Sequence, residues 1–269
     1  MRRYLLKAIL CLSVLLVTSG SLQAGPAVDR IKKSGTLKVG VEPGFLPFEM
    51  RTPKDEWVGF DVEMMKAFAK SLGVKVQFTS TKWDGIIPGL MASKYDLIAS
   101  GMTITPERAK IVLFSKPYYD AGLKILIGKK LEGQVKNLAA LDNEKYTVLV
   151  KLGTTGDIFA TKNLKKAKIR RMDSEADAAQ SVVLGRGDAF IYDKPFMEIY
   201  ESGHKGKVVL LPDLLSTESF GLAARKTDKD LIEAFNSFLD AWKANGGYDA
   251  AFKAMFQDLT WKKQFPNQF

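Results

Sequence analysis

At 269 residues, with 46% hydrophobic and 26% charged residues, the chain is long enough for two modest lobes or one large α/β domain, and its composition excludes a disordered or fibrous class. The formal net charge of +10 raises nucleic acid as a partner, but Lys and Arg are spread along predicted helices beside Asp and Glu. Solvated helix faces account for them, and nucleic-acid binding is set aside.

Counting excludes further chemistry. Cys11 is the only cysteine and His204 the only histidine, so an intramolecular disulfide and a His or Cys metal cluster are ruled out, and no metal or cofactor is expected. Residues 1–24 read as a signal peptide: Arg2, Arg3 and Lys7 are a basic head, Ile9 to Val17 an apolar run, and Ala24 the small residue at the cut. The apolar run is shorter than the roughly 20 residues of a bilayer span. Cys11 lies inside it and not at the cut, which predicts a periplasmic protein that is not a lipoprotein. Removing the segment leaves 37 basic and 30 acidic residues, a net +7.

In chain order, a short helix from Ala27 to Lys33 ends at Ser34-Gly35, and Thr36 to Val41 is a strand. The turn Glu42 to Phe48 follows, and Asp55 to Asp61 is a second turn into a strand. Asp61 is expected to cap a helix from Val62 to Leu72, in which Met64, Met65, Phe68 and Leu72 recur at helical spacing. A strand over Val74 to Thr79, a helix over Trp83 to Met91 and a strand over Leu97 to Ala99 complete an alternating series. That alternation predicts an α/β lobe of mostly parallel strands, with ligands at the strands' carboxyl ends.

At one such end stands Asp96 to Lys110. Gly101 permits a sharp turn and close approach to the main chain, Pro106 opens a helix capped by Thr105, and Arg108 lies just inside it. Free N–H groups, the hydroxyls of Ser100 and Thr103 and a guanidinium fork make a site for a small carboxylate. The same residues also suit an ordinary strand-to-helix loop.

Beyond Arg108 the pattern restarts. Leu123 to Ile127 and Thr147 to Val150 are strands, the second running into Gly153-Thr154-Thr155 at a helix start. Glu175 to Leu184 is a helix, and Ala189 to Asp193 a strand ending in a carboxylate. Val208 to Leu211 and Phe220 to Ala224 are strands, and helices over Lys229 to Asn245 and Tyr248 to Phe256 finish the chain. The organisation is a first lobe (25–120), a second lobe inserted in it (121–217) and a return to the first (218–269).

Together, Gly59-Phe60-Asp61, Trp83-Asp84-x-x-Ile87-Pro88-x-Leu90, Thr103-x-Thr105-x-x-Arg108, Phe114-Ser115-x-Pro117-Tyr118, Gly153-Thr154-Thr155 and Ala189-x-x-Tyr192-Asp193 resemble, in that order, the polar amino-acid-binding family of periplasmic solute-binding proteins. The resemblance covers nearly all of the chain after residue 24. It implies a two-lobed periplasmic binding protein fold of type II, with two hinge crossings. The lobes would close on a free L-amino acid that the monomeric protein delivers to an ABC transporter permease.

The family pattern implies site roles residue by residue. Arg108 would clamp the ligand α-carboxylate, assisted by N–H groups near Thr103 and at Thr155 and by the Thr103 and Thr154 hydroxyls. Asp193 and a carbonyl around Ser100 or Gly101 would take the α-ammonium; Asp193 could instead cap a helix before Pro195. Phe45 and Trp57 match positions that stack on the ligand side chain. Glu42 lies where binders of basic amino acids carry a carboxylate, which implies lysine or arginine, with glutamine or another polar amino acid as alternatives. Glu42 is longer than the Asp common there and Phe45 lacks a hydroxyl some members carry; a turn cap and a core ring are their bland readings. Asp157 could contact the ligand, but a role at its helix N-terminus is preferred.

A rival on the same scaffold is an enzyme, because cyclohexadienyl (prephenate or arogenate) dehydratases resemble this family. Such an enzyme needs a protonated general acid. Glu175, Glu198 and Glu201 are second-lobe candidates that the sequence does not place in a cleft. A sensor domain is a third class, whose receptor versions carry transmembrane helices on the same chain.

Overall fold

The structure is a computed structural model that describes residues 25–265; the expected signal segment, with Cys11, lies outside the described residues. Two five-stranded sheets, each flanked by helices, build the two lobes.

In the first sheet Thr36–Val41 is parallel both to Lys75–Ser80 and to Leu97–Ile98. Leu37, Val39 and Val41 alternate into the core, which is the period of a strand with one buried face. Ala223–Ala224 then pairs antiparallel with Leu97–Ile98 and with Leu113–Phe114. The second sheet joins Lys168–Met172, Thr147–Lys151 and Ala189–Asp193 in parallel, and adds Leu123–Gly128 and Val208–Leu210 antiparallel. Each sheet is therefore parallel on one side and antiparallel where the chain enters or returns from the other lobe.

Between the sheets the chain crosses twice. Tyr119–Ala121 and Glu218–Phe220 run antiparallel, with Tyr119 opposite Phe220. Aromatic rings fasten this ladder to the first lobe: Phe220 stands 5.3 Å from Phe48 and 5.8 Å from Tyr119, and Tyr119 lies 5.1 Å from Phe256. The predicted single strand Phe220 to Ala224 is thus two. Phe220 belongs to the crossing and Ala223 to the sheet, because Gly221 donates its N–H to Met102 and turns the chain from one partner to the other.

Other sequence expectations shift for physical reasons. Asp61 does not cap its helix, which spans Phe60–Leu72 with Gly59 at the N-cap. Gly59 has φ +143°, and an added Cβ would come within 2.1 Å of the Phe48 carbonyl oxygen, so Asp61 begins inside the helix and its carboxyl is buried. The strand Lys168–Met172 is absent from the sequence reading because Lys-Ile-Arg-Arg-Met shows little apolar alternation; it is an edge strand, where charge is tolerated. The last helix is α only over Gly247–Phe252 and widens to a π-helix over Lys253–Asp258. Among the described residues no helix is long and apolar enough to cross a membrane.

Candidate ligand-binding site

The carboxyl ends of both parallel strand sets face one narrow cleft between the lobes. From the first lobe, Thr105 caps the short helix Pro106–Ala109 by accepting the Arg108 N–H. That cap fixes the first turn, and the Arg108 side chain folds back so that its Nη1 donates to the Thr103 carbonyl at 2.9 Å. The guanidinium lies 5.2 Å from the centre of the Trp83 ring, a cation–π contact. Burial lowers the Arg108 pKa, opposed by the carboxylates of Asp193 and Glu218. Gly101 has φ +50°, and an added Cβ would meet the Phe45 ring at 2.2 Å, so glycine is required where the loop floors the cleft.

From the second lobe, Thr154 caps the helix Thr155–Asn163, and Asp193 ends a strand whose five residues are all buried. Asp193 occupies the N-cap position of the helix Lys194–Gly203, yet its side chain makes no cap hydrogen bond. Its Oδ1 is buried without a partner. Burial first, then the nearby Glu218, pushes the Asp193 carboxyl up to about 8, against the pull of Arg108 and Lys151. A buried carboxyl oxygen with no donor is costly, and an ammonium placed in the cleft supplies the missing donor.

At the other end of the cleft, Lys151 is the central charge. Its side chain is 2% exposed, and its ammonium pairs with Glu42 of the first lobe and, at 2.6 Å, with Glu175 of its own. Burial works against the Lys151 cation, but the two carboxylates prevail and raise its pKa. The Glu42 carboxyl is also raised, by burial, despite Lys151 and the Trp83 N–H. The two directions agree physically: one ammonium cannot discharge two carboxylates, and the excess negative charge rests on the pair. Glu49 lies alongside, fully buried, with Ser100 donating to its Oε1 at 2.6 Å.

Nine of the ten residues expected at the ligand line this cleft: Glu42, Phe45, Ser100, Gly101, Thr103, Arg108, Thr154, Thr155 and Asp193. Trp57 is the correction. It sits on a short two-stranded ladder with Met50–Arg51, its ring 5.6 Å from Phe78 and under the Arg51 guanidinium, away from the cleft. Trp83 supplies the cleft's indole instead. Two of the expected hydroxyls are already engaged. Thr103 donates to Glu218 at 3.0 Å, and the Thr154 hydroxyl donates to the Lys151 carbonyl at 2.8 Å, so both already have protein acceptors. Asp157 accepts from Gly153 and pairs with Arg171, a structural role at the helix start.

The sequence reading did not assign Glu49, Trp83, Lys151 or Tyr192 to the site. Trp83 and Tyr192 stood inside recognised motifs without a role, and Lys151 directly precedes the Leu152-Gly153 turn at a strand's carboxyl end, which was the available signal. Glu49 carried none.

The lobes meet across the cleft. Trp83 Nε1 donates to the Gly153 carbonyl at 3.2 Å, and Glu218 on the crossing accepts from Thr103 of one lobe and Thr155 of the other. This is a closed arrangement, in which groups from both lobes face one small cleft.

Residues 37–258 match the family of bacterial extracellular solute-binding proteins, family 3. The chain is 30% identical over 229 residues to an L-cystine-binding protein of Escherichia coli K12, covering 85% of each. It is 31% identical over 241 residues to a cyclohexadienyl dehydratase of Pseudomonas aeruginosa, covering 89% of this chain and 88% of that one. A solved structure of a putative ABC transporter binding component from Wolinella succinogenes, complexed with lysine, is 40% identical with a TM-score of 0.81, covering 85% of this chain and 99% of that one. The chain belongs to this solute-binding family, in its polar amino-acid-binding branch.

Proposed function

We propose that the cleft takes one free L-amino acid with a cationic side chain, arginine or lysine. Arg108 receives the α-carboxylate, Asp193 the α-ammonium, and Glu42 the side-chain cation. One observation carries the choice of ligand: at the side-chain end a single ammonium, Lys151, faces two carboxylates, Glu42 and Glu175. One negative charge is left over, and a lysine ammonium or arginine guanidinium balances it. A neutral side chain would leave that charge uncompensated in a closed cleft. The lysine complex of the Wolinella relative supports this reading, while the Escherichia coli relative is named for cystine.

On this reading residues 1–24 direct export to the periplasm, and 121–217 form a lobe inserted between 25–120 and 218–269. Closure brings Arg108 against Asp193 and Thr154 around the zwitterion, and the monomer hands its ligand to an ABC permease. The test is a thermal-shift screen of residues 25–269 against the twenty amino acids and cystine, with calorimetry on the hits. Arginine or lysine at 100 times its dissociation constant stabilises the protein by about 2.7 kcal/mol. A shift with glutamine or cystine and none with either basic amino acid overturns the assignment.

A second reading, dehydration of prephenate or arogenate, draws on the carboxyls beside the cleft. Glu175 is 3% exposed and bonded to Lys151, whereas Glu198 is exposed. Glu49 lines the cleft, and burial followed by the charge of Asp61 holds it well above the usual carboxylate range, which is the state a general acid needs. Incubation with prephenate and arogenate decides it: steady release of aromatic product makes the protein an enzyme, and none leaves it a binding protein.

A further inference from the structure

Among the described residues, three buried side-chain polar atoms have no hydrogen-bond partner, and all are carboxyl oxygens: Glu49 Oε2, Asp61 Oδ1 and Asp193 Oδ1. Asp193 belongs to the ligand site already described. Glu49 and Asp61 are neighbours through the backbone, since the Asp61 N–H donates to the carbonyl of Phe48, the residue before Glu49. Their other oxygens hold consecutive residues of the ligand loop. Glu49 Oε1 accepts from the Ser100 hydroxyl at 2.6 Å, while Asp61 Oδ2 accepts from the Gly101 N–H at 3.0 Å and the Tyr118 hydroxyl at 2.7 Å.

We propose that Glu49 and Asp61 hold one proton between them, Glu49 Oε2–H donating to Asp61 Oδ1, and that this acid–carboxylate clasp positions Ser100 and Gly101 at the floor of the cleft. One proton satisfies both orphaned oxygens and removes one of two adjoining buried charges. Two buried carboxylates whose charges oppose each other do not readily both ionise. The surroundings offer no other remedy. Among the described residues, Asp61 accepts from the Gly101 N–H and the Tyr118 hydroxyl, both on Oδ2, and Tyr248 also feels its charge. Facing Glu49 are Ser100 and, from the second lobe, Lys151 and Glu175; Tyr118 and Tyr192 also feel its charge. Lys151 directs its ammonium to Glu42 and Glu175. Both carboxyls are raised, Glu49 by burial and then Asp61, and Asp61 by burial.

The clasp acts on the ligand loop from behind. Ser100 also accepts the Glu42 N–H at 3.0 Å, so a single proton ties the turn that carries Glu42 to the turn that carries Gly101. Losing it puts two like charges under the loop.

The experiment uses ligand-free protein, so its outcome is independent of which amino acid binds. Carbon-13 carboxyl labelling of glutamate, read by NMR at neutral pH, is expected to show a protonated glutamic acid that Glu49→Gln removes. The amide of Glu49→Gln donates to Asp61 as the acid does but cannot ionise. The sign for stability follows from a raised acid: its contribution is complete below the ordinary value of 4.5 and is lost as pH rises through the folded-state value. The wild-type melting temperature is therefore expected to fall relative to Glu49→Gln as pH rises from 5 to 9, and Asp61→Asn is expected to flatten the same slope. An ionised Glu49 at neutral pH, or parallel melting profiles for wild type and Glu49→Gln, overturns the shared proton.

Discussion

The two ends of the cleft solve the same problem, charge in a buried site, in opposite ways. At the α-amino-acid end Arg108 and Asp193 come from different lobes and form no ion pair with each other, and Asp193 keeps an oxygen without a partner. On the proposed reading a zwitterion completes that end. At the side-chain end Glu42, Lys151 and Glu175 are already bonded across the lobes. There the protein supplies its own counter-ion. On the proposed reading one end serves general recognition of amino acids, and the other closure and selectivity.

Breaking the bonded end has the largest effect on stability. Lys151→Ala leaves Glu42 and Glu175 without their ammonium, and urea denaturation is expected to show a loss of about 3–5 kcal/mol, the usual consequence of removing one partner of a buried pair. A loss below about 1 kcal/mol would mean that the three groups are not coupled.

Breaking the open end acts on affinity. Arg108→Ala is expected to weaken every amino-acid ligand by about 2–5 kcal/mol in calorimetry, without discriminating among side chains. Near-native affinity would reject the clamp. Asp193→Asn separates binding from stability: affinity falls, while the ligand-free protein melts at a higher temperature. The Asp193 carboxyl is raised to about 8 from an ordinary 3.8. Its stability contribution is therefore complete below 3.8 and is lost as pH climbs toward 8, so the advantage of Asn grows over that window. A melting-temperature difference that shrinks with rising pH would contradict this.

Selectivity is the smaller effect. Glu42→Gln is expected to weaken arginine and lysine by about 1.5–3 kcal/mol, the worth of a charged hydrogen bond, while leaving glutamine nearly unchanged. Equal losses would make Glu42 purely structural. Least of all, Trp57→Ala should leave calorimetric affinity unaltered, since its ring packs on Phe78 and Arg51. A weakened ligand would return Trp57 to the site.

The sequence by itself determined the α/β order, the inserted second set of strands and most of the residues that line the cleft. Those features rest on local signals: alternation in Thr36–Val41, the Thr105-Pro106 helix start, the Gly153-Thr154-Thr155 turn, and an aspartate closing the strand Ala189–Asp193. Each is set by neighbours within a few residues, where backbone geometry and capping act. Tertiary structure alone decided the rest. Lys151 meets Glu42 across 109 positions, and Gly59 lets the chain pack against Phe48, where the Asp61 N–H bonds beside Glu49. Trp57 and Trp83 carry the same ring, and only packing determined which one lines the cleft. Long-range pairing of charges leaves no periodic trace in a sequence, because its cause is the desolvation that folding imposes on groups far apart in the chain.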